Sequence, residues 1–293
     1  MENESYSFLK KCKSMIVTII GTGLIGGSMA ISLREMEFVT RIIGVDANPS
    51  HRQRALELGL VDEVSGTDEA VLLSDLVILA IPVNAVEKLL PHILDNISRQ
   101  VVMDVSSTKK GIIDSVRNHI NRGRFVATHP MWGTEYSGPD AAVAGAFVDK
   151  AAIISDKNQS DPDAIDLVEK IYKSLGMHLL YMESEAHDLH AAYVSHISHI
   201  TSFALANTVL EKEKEEDAIF EMASAGFEST VRLAKSNPEM WVPIFMQNRE
   251  NVLDVLNEHI SQLRKFKSCL EKENYAYLFE LIENANKISK ILK

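Results

Sequence analysis

The sequence predicts an α/β domain built on a parallel sheet over residues 1–182, followed by an all-helical domain over residues 183–293. Short apolar runs alternate with helix-length stretches in the first part, a glycine-rich turn joins the first run to the first such stretch, and strand-like runs cease after Met182. Alternation of this kind implies a parallel sheet with helices on both faces.

Residues 1–14 read as a short tail, because their lysines are not followed by the apolar stretch of a leader, and Met15 is a plausible natural start. Strands are expected at Ile16 to Ile20, Ile42 to Val45, Leu76 to Ile81, Val101 to Val105, Phe125 to Thr128 and Ala151 to Ile154. Helices are expected between them at Gly27 to Met36, Ser50 to Leu58, Val83 to Ile97, Lys109 to Asn121 and Asp163 to Leu175. Gly176 then stops a helix before a last short strand, His178 to Met182.

Beyond Met182 the pattern becomes helical throughout. Glu183 to about Leu210 carries Ala191, Ala192, Val194, Ile197, Ile200, Phe203 and Ala204 on so broad an apolar face that the helix must be buried. Further helices are expected at Asp217 to Ala225, Glu228 to Lys235, Pro238 to Glu271 and Tyr275 to Leu292, the third with a proline in its first turn. A small helical domain with so apolar a first helix completes its core with a second copy, so a homodimer is expected. The charge run from Glu211 to Glu216 is a solvated helix end.

The net charge of −11 argues against nucleic acid or an anionic membrane as partner. No apolar run is long enough to span a bilayer. Cys12 and Cys269 stand alone, without a CxxC pair, so neither a disulfide framework nor a thiolate zinc site is expected, and a cytoplasmic location fits.

Gly21-Thr22-Gly23-Leu24-Ile25-Gly26 is a complete GxGxxG directly after a strand and before a helix expected to open at Gly27. Such glycines allow a tight turn and close approach of backbone to a pyrophosphate, while the helix start offers free N–H groups and positive potential. The second strand ends in Asp46, placed to accept both ribose hydroxyls of an adenosine and to repel a 2′-phosphate, so NAD is expected over NADP. Arg52 and Arg54 lie close enough in sequence to soften that preference. Ile81 and Pro82 end a strand where the nicotinamide would lie, as a backbone wall.

In such a sheet ligands bind at the carboxyl edge of the strands. His129 falls there, in His129-Pro130-Met131-Trp132-Gly133-Thr134-Glu135-Tyr136-Ser137-Gly138, where an imidazole can exchange a proton near neutral pH. Capping of the strand is the alternative. Ser106, Ser107 and Thr108 lie at the same edge before a helix, as caps, as substrate contacts, or as both. His196 and His199 share a helix face, as do His187 and His190, without a third ligand that would make a metal site, and His199 or His196 can face the cleft to bind an anion. Arg232 is the best cationic candidate of the helical domain.

With the segments GTGLIGGS, SSTK, HPMWGTEYSG, VSHISH and RLAKSNPEMW in this order, the chain resembles the prephenate and arogenate dehydrogenases of tyrosine biosynthesis from Met15 through roughly Asn251. The resemblance implies a Rossmann-type domain with a helical dimerisation domain, on the plan of 6-phosphogluconate dehydrogenase, and oxidative decarboxylation of prephenate by NAD. Arogenate is the nearest alternative substrate. It also implies that His129 engages the ring hydroxyl with help from Ser107, that His199 and Arg232 contact the substrate, and that Glu135 lines the entrance. Trp132 stands where a small residue is expected in many members, which predicts a narrower or reshaped pocket beside His129.

Overall fold

The computed structural model describes residues 14–215 and 219–291. The tail expected before Ser14, the start of the helix expected at Asp217 and the end of the one expected at Leu292 lie outside them.

Eight strands form one sheet in the order β3-β2-β1-β4-β5-β6-β7-β8. In chain order the elements are β1 (Met15–Ile20), α1 (Leu24–Arg34), β2 (Val39–Val45), α2 (Pro49–Glu57), β3 (Glu63–Val64), α3 (Thr67–Leu73), β4 (Leu76–Leu79), α4 (Val83–Asp95), β5 (Val101–Asp104) and α5 (Lys110–Val116). They continue with β6 (Phe125–Pro130), β7 (Ala151–Ser155), α6 (Pro162–Ser174) and β8 (His178–Met182). Consecutive residues of the central strands face opposite sides, which is why those strands read as unbroken apolar runs. Ile19, Ile78, Met103 and Val126 enter one core with Phe147 and Tyr172, whereas Ile43, Val77, Leu79 and Val102 enter the other with Leu90 and Ile112.

The sheet is parallel except for β6 and β7, which pair antiparallel. A parallel return needs a crossover element, and between these strands the chain has only a short 3-10 turn, Pro139–Ala141. The strand order reverses where β1 lies between β2 and β4, so a ligand crevice opens at the carboxyl ends of β1 and β4.

After β8 come α7 (Ser184–Ala191), a π turn (Ala192–His196), α8 (Ile197–Glu213), α9 (Ala225–Val231) and α10 (Pro238–Gln247), then α11 (Arg249–Glu271) and α12 (Tyr275–Asn286). By their contacts the described residues fall into two compact units on either side of Asn248: α7 to α10 cluster with the sheet, and α11 and α12 form the second. The change of pattern at residue 183 thus marks the end of the sheet. Trp241 and Ile244 of α10 pack on Val83 at the start of α4.

Several local expectations are corrected. The first helix opens at Leu24, inside the glycine motif, not at Gly27. The two-residue β3 and the helix α3 were not foreseen, because a two-residue strand has no periodicity. The long helix expected from Pro238 breaks at Asn248, and the segment Arg232–Lys235 is a 3-10 turn. The apolar helix after Glu183 is not buried within one chain: Ser202 alone is buried in α8, and Val194 and Leu210 keep 66% and 50% of their surface.

Candidate active site

At the first turn Gly21 has φ +97°, and a Cβ there would meet the Ala80 carbonyl oxygen at 2.3 Å. A Cβ on Gly26 would lie 1.9 Å from the Gly21 carbonyl oxygen, so strand, turn and helix meet too closely for any side chain. Gly23 is different: a Cβ there would find nothing nearer than Gly138 N at 3.9 Å. That open space lies before the first turn of α1, where the N–H groups of Leu24, Ile25 and Gly26 have no carbonyl four residues back within the helix. Asp46 Oδ2 accepts from Thr22 N at 3.0 Å and Thr22 Oγ1 at 3.1 Å, fixing the carboxylate beside the turn. Ile81 packs against Gly21, and Pro82 precedes the first residue of α4. These residues fit a dinucleotide: a gap for the pyrophosphate, free N–H groups beside it and an acid for the ribose.

Both arginines near Asp46 have partners of their own. Arg52 Nη1 donates to the Asp46 carbonyl at 2.7 Å, and Arg54 is engaged by Asp140 and Glu57. The loop after β6 closes over the glycine turn: Gly138 turns at φ +84°, and Val143 N donates to Ser28 Oγ of α1 at 2.9 Å.

His129 is buried at the end of β6, and its Nδ1 lies 2.9 Å from His187 Nε2 of α7. Burial, then the neighbouring His187, Lys109 and His196, hold its pKa well below the ordinary 6.5, so the imidazole is neutral at pH 7. His187 Nδ1 in turn lies 2.8 Å from Asp188 Oδ1. The same carboxylate accepts from Lys109 N at 2.8 Å and Lys110 N at 2.9 Å, and so caps α5. Ser107 and Thr108 therefore do not cap that helix. Thr108 Oγ1 donates instead to Gln247 Oε1 at 2.7 Å, while Ser107 lies half-buried in the turn and the Ser106 hydroxyl is buried without a protein partner.

Beneath the serines, Lys109 and Asp104 form a fully buried ion pair. Lys109 Nζ also donates to the Thr128 carbonyl at 2.6 Å, and Asp104 accepts from Thr128 N and Ser106 N, both at 3.0 Å. The pair thus ties the end of β5 to the residue before His129.

His196 is buried in the π turn, its Nδ1 3.2 Å from Asn248 Nδ2, and burial first of all lowers its pKa to about 4. His199 stacks on Trp241 with ring centroids 3.5 Å apart. Arg232 Nη1 donates to Glu135 Oε2 at 2.7 Å, which joins the 3-10 turn after α9 to the loop beyond His129. Its own backbone contact and then Arg232 hold the Glu135 carboxyl below the usual range. A proton on His196 would be felt at His129, and the charge of Arg232 is felt at His199. Trp132 packs edge-on against Phe147 and the sheet core.

Sequence reasoning missed His187 and Asp188 as a linked pair, together with Lys109, Asp104 and Trp241. In the sequence His187 shows only a helix face shared with His190. Trp241 lies in the segment RLAKSNPEMW, which was singled out as a whole.

The chain matches the sequence profile described as the nucleotide-binding domain of prephenate dehydrogenase over residues 29–181, and that described as its dimerization domain over residues 183–284. It is 30% identical to prephenate dehydrogenase of Bacillus subtilis, over 92% of this chain and 74% of that one. It is also 30% identical to cyclohexadienyl dehydrogenase of Zymomonas mobilis, over 94% and 96%. Among solved structures, prephenate dehydrogenase of Aquifex aeolicus with hydroxyphenyl propionate and NAD+ superposes with a TM-score of 0.87 at 30% identity, over 95% of this chain and 98% of that one.

Proposed function

The chain belongs to the prephenate dehydrogenase family, and on that premise we propose that it is an NAD-dependent enzyme of tyrosine biosynthesis that oxidatively decarboxylates prephenate to 4-hydroxyphenylpyruvate. The observation that carries the reading is His129, a neutral, buried imidazole at the sheet edge that also holds the glycine turn. NAD, when bound, takes the hydride from the carbon that bears the ring hydroxyl. Gly21, Thr22, Gly23, Leu24, Ile25 and Gly26 would hold its pyrophosphate, Asp46 its ribose, and Ile81 and Pro82 would wall the nicotinamide end.

His129 accepts the hydroxyl proton as the hydride departs. The ring carboxylate leaves as CO₂, and its bonding electrons complete the aromatic ring. The products carry no extra proton, so the one borrowed by His129 returns to the phenol oxygen. Ser107 would assist His129 at that oxygen, with Ser106 beside it on the substrate side. Arg232, His199 and His196 bind and orient the substrate, with the Arg232 fork suited to a carboxylate.

The Glu135–Arg232 pair favours prephenate over arogenate. Arogenate differs by an ammonium in place of a keto group, and a carboxylate already neutralised by Arg232 has little attraction to spare for it.

A homodimer through residues 183–293 belongs to the same reading, with residues 1–182 as the nucleotide-binding part. The exposed Val194 and Leu210 support it, because an apolar helix face of this kind is stable only when covered. A cytoplasmic location is part of the proposal. Among the described residues no helix is long and apolar enough to cross a membrane.

NADH formation with prephenate and with arogenate, by wild type and by His129→Asn, tests the reading. Prephenate turnover that His129→Asn lowers about 100-fold or more supports it; a wild type that turns over neither substrate sinks it.

A further inference from the structure

We propose that His187, its ring set by Asp188, is a positioning residue that locks His129 in the tautomer with hydrogen on Nδ1 and a free lone pair on Nε2. The proposal rests on the reading of His129 as the base and assigns how that base is kept ready.

The argument runs from the carboxylate outward. An ionised carboxylate only accepts hydrogen bonds. Asp188 accepts from Lys109 N and Lys110 N, and its Oδ1 faces His187 Nδ1 at 2.8 Å, so that nitrogen must carry a hydrogen. His187 is buried, and burial keeps its pKa below the ordinary value against the opposing pull of Asp188. A neutral ring with hydrogen on Nδ1 has a bare Nε2. That atom lies 2.9 Å from His129 Nδ1, and two bare nitrogens would repel at this distance, so His129 Nδ1 is the donor. The hydrogen of neutral His129 is then spent inward, and Nε2 is left as the acceptor.

An unconstrained neutral histidine favours hydrogen on Nε2, where it could not take a proton from a hydroxyl. The hydrogen bond made by one ring nitrogen fixes the state of the other. As a proton arrives on His129 Nε2, the positive charge is shared through His187 toward Asp188, whose position is held by the α5 amides and by Asn248 Nδ2 on its own carbonyl at 2.7 Å. His187 and Asp188 need not touch substrate for this role. Their effect falls on the proton-transfer step and not on binding.

Nitrogen-15 NMR of the histidine-labelled full chain, with His129→Asn and His187→Phe spectra for assignment, reads the tautomers directly. At pH 8 both rings are expected to be neutral with hydrogen on Nδ1; hydrogen on Nε2 of His129, or a doubly protonated His187, overturns the proposal. Kinetics supply an independent arm. His187→Phe, which offers no acceptor, should lower kcat by about 100-fold while KM for prephenate and NAD stays within about 3-fold. His187→Gln, whose side-chain carbonyl reaches the place of Nε2, should recover at least about 10-fold of that loss. Equal kcat in the two variants overturns the positioning role. A wild type that turns over neither prephenate nor arogenate removes the base itself, a failure the NMR result separates from a wrong tautomer.

Discussion

Arg232 Nη1 and Glu135 Oε2 lie 2.7 Å apart, although 97 residues separate them in the chain. The pair holds the loop after β6 against the helical segment that carries the best candidate for a substrate carboxylate. Half of the arginine side chain stays exposed, so its remaining N–H groups are open to an incoming anion, and Glu135 competes for them. Exposed pairs of this kind contribute about 0.2–1 kcal/mol. Glu135→Gln should therefore lower KM for prephenate by about 1.5- to 5-fold, whereas Arg232→Ala should raise it at least about 10-fold, with kcat changed far less in both. Steady-state kinetics decide this, and a higher KM in Glu135→Gln would show that the carboxylate helps to hold substrate.

For the cofactor, Asp46→Ala removes the acceptor for the ribose hydroxyls and the charge that repels a 2′-phosphate. Arg52 is committed to the Asp46 carbonyl and Arg54 to Asp140, so neither becomes a phosphate ligand when the carboxylate is lost. The expected outcome is a fall in kcat/KM for NAD of about 10-fold or more, two lost hydrogen bonds to a charged group, with only a small gain for NADP. The ratio of the two cofactors' kcat/KM measures it. A full switch to NADP would mean that one arginine lets go of its partner.

What the sequence made legible here follows from the range of the interactions. The glycine turn, Asp46 and His129 were readable because each depends on a strand end and a local turn, and a run such as Leu76 to Leu79 announces its own strand. The assembly around His129 was not readable in the same way. His187 and Asp188 are neighbours on one helix, yet their partners lie 58 and 79 residues away, and nothing in helical periodicity selects them. Capping propensity pointed to Ser107 and Thr108 for α5, and it lost to a remote carboxylate brought in by tertiary packing. The break at Asn248 was hidden because no glycine or proline stands at it, and the proline that does interrupt the stretch, Pro243, lies inside α10; the side chain of Asn248 is instead spent on the Asp188 carbonyl and on His196.

The buried pair of Lys109 and Asp104 should respond unequally to loss of either partner. Asp104→Asn leaves an ammonium fully buried with only neutral acceptors, and it also turns an amide N–H toward a backbone donor. A cost of about 3–5 kcal/mol is expected, as for other broken buried pairs. Lys109→Met leaves a carboxylate that still accepts from Thr128 N and Ser106 N and should cost less. Urea unfolding of the two single variants and of the Asp104→Leu, Lys109→Met double variant tests this order. A double variant less stable than Asp104→Asn would contradict it.

Four histidines of the site, His129, His187, His196 and His199, have pKa values pushed below the ordinary 6.5, with burial the first cause in each. Their stability effect has one sign. The unfolded chain takes up protons as pH falls through about 6.5, while the folded protein resists until each lower pKa is reached, so the unfolded state binds more protons in that window. Stability is therefore full above pH 6.5 and is lost as pH falls below it. For His196, at about 4, the complete loss amounts to about 3 kcal/mol, accrued between pH 6.5 and 4 at no more than about 1.4 kcal/mol per pH unit. His196→Phe removes this one titration and leaves the others in place. Urea unfolding from pH 4.5 to 7.5 should therefore give a variant whose stability falls less steeply with acid than that of the wild type, whatever its stability at pH 7. Parallel curves would mean that His196 titrates alike in the folded and unfolded chain, and burial would then not govern its protonation.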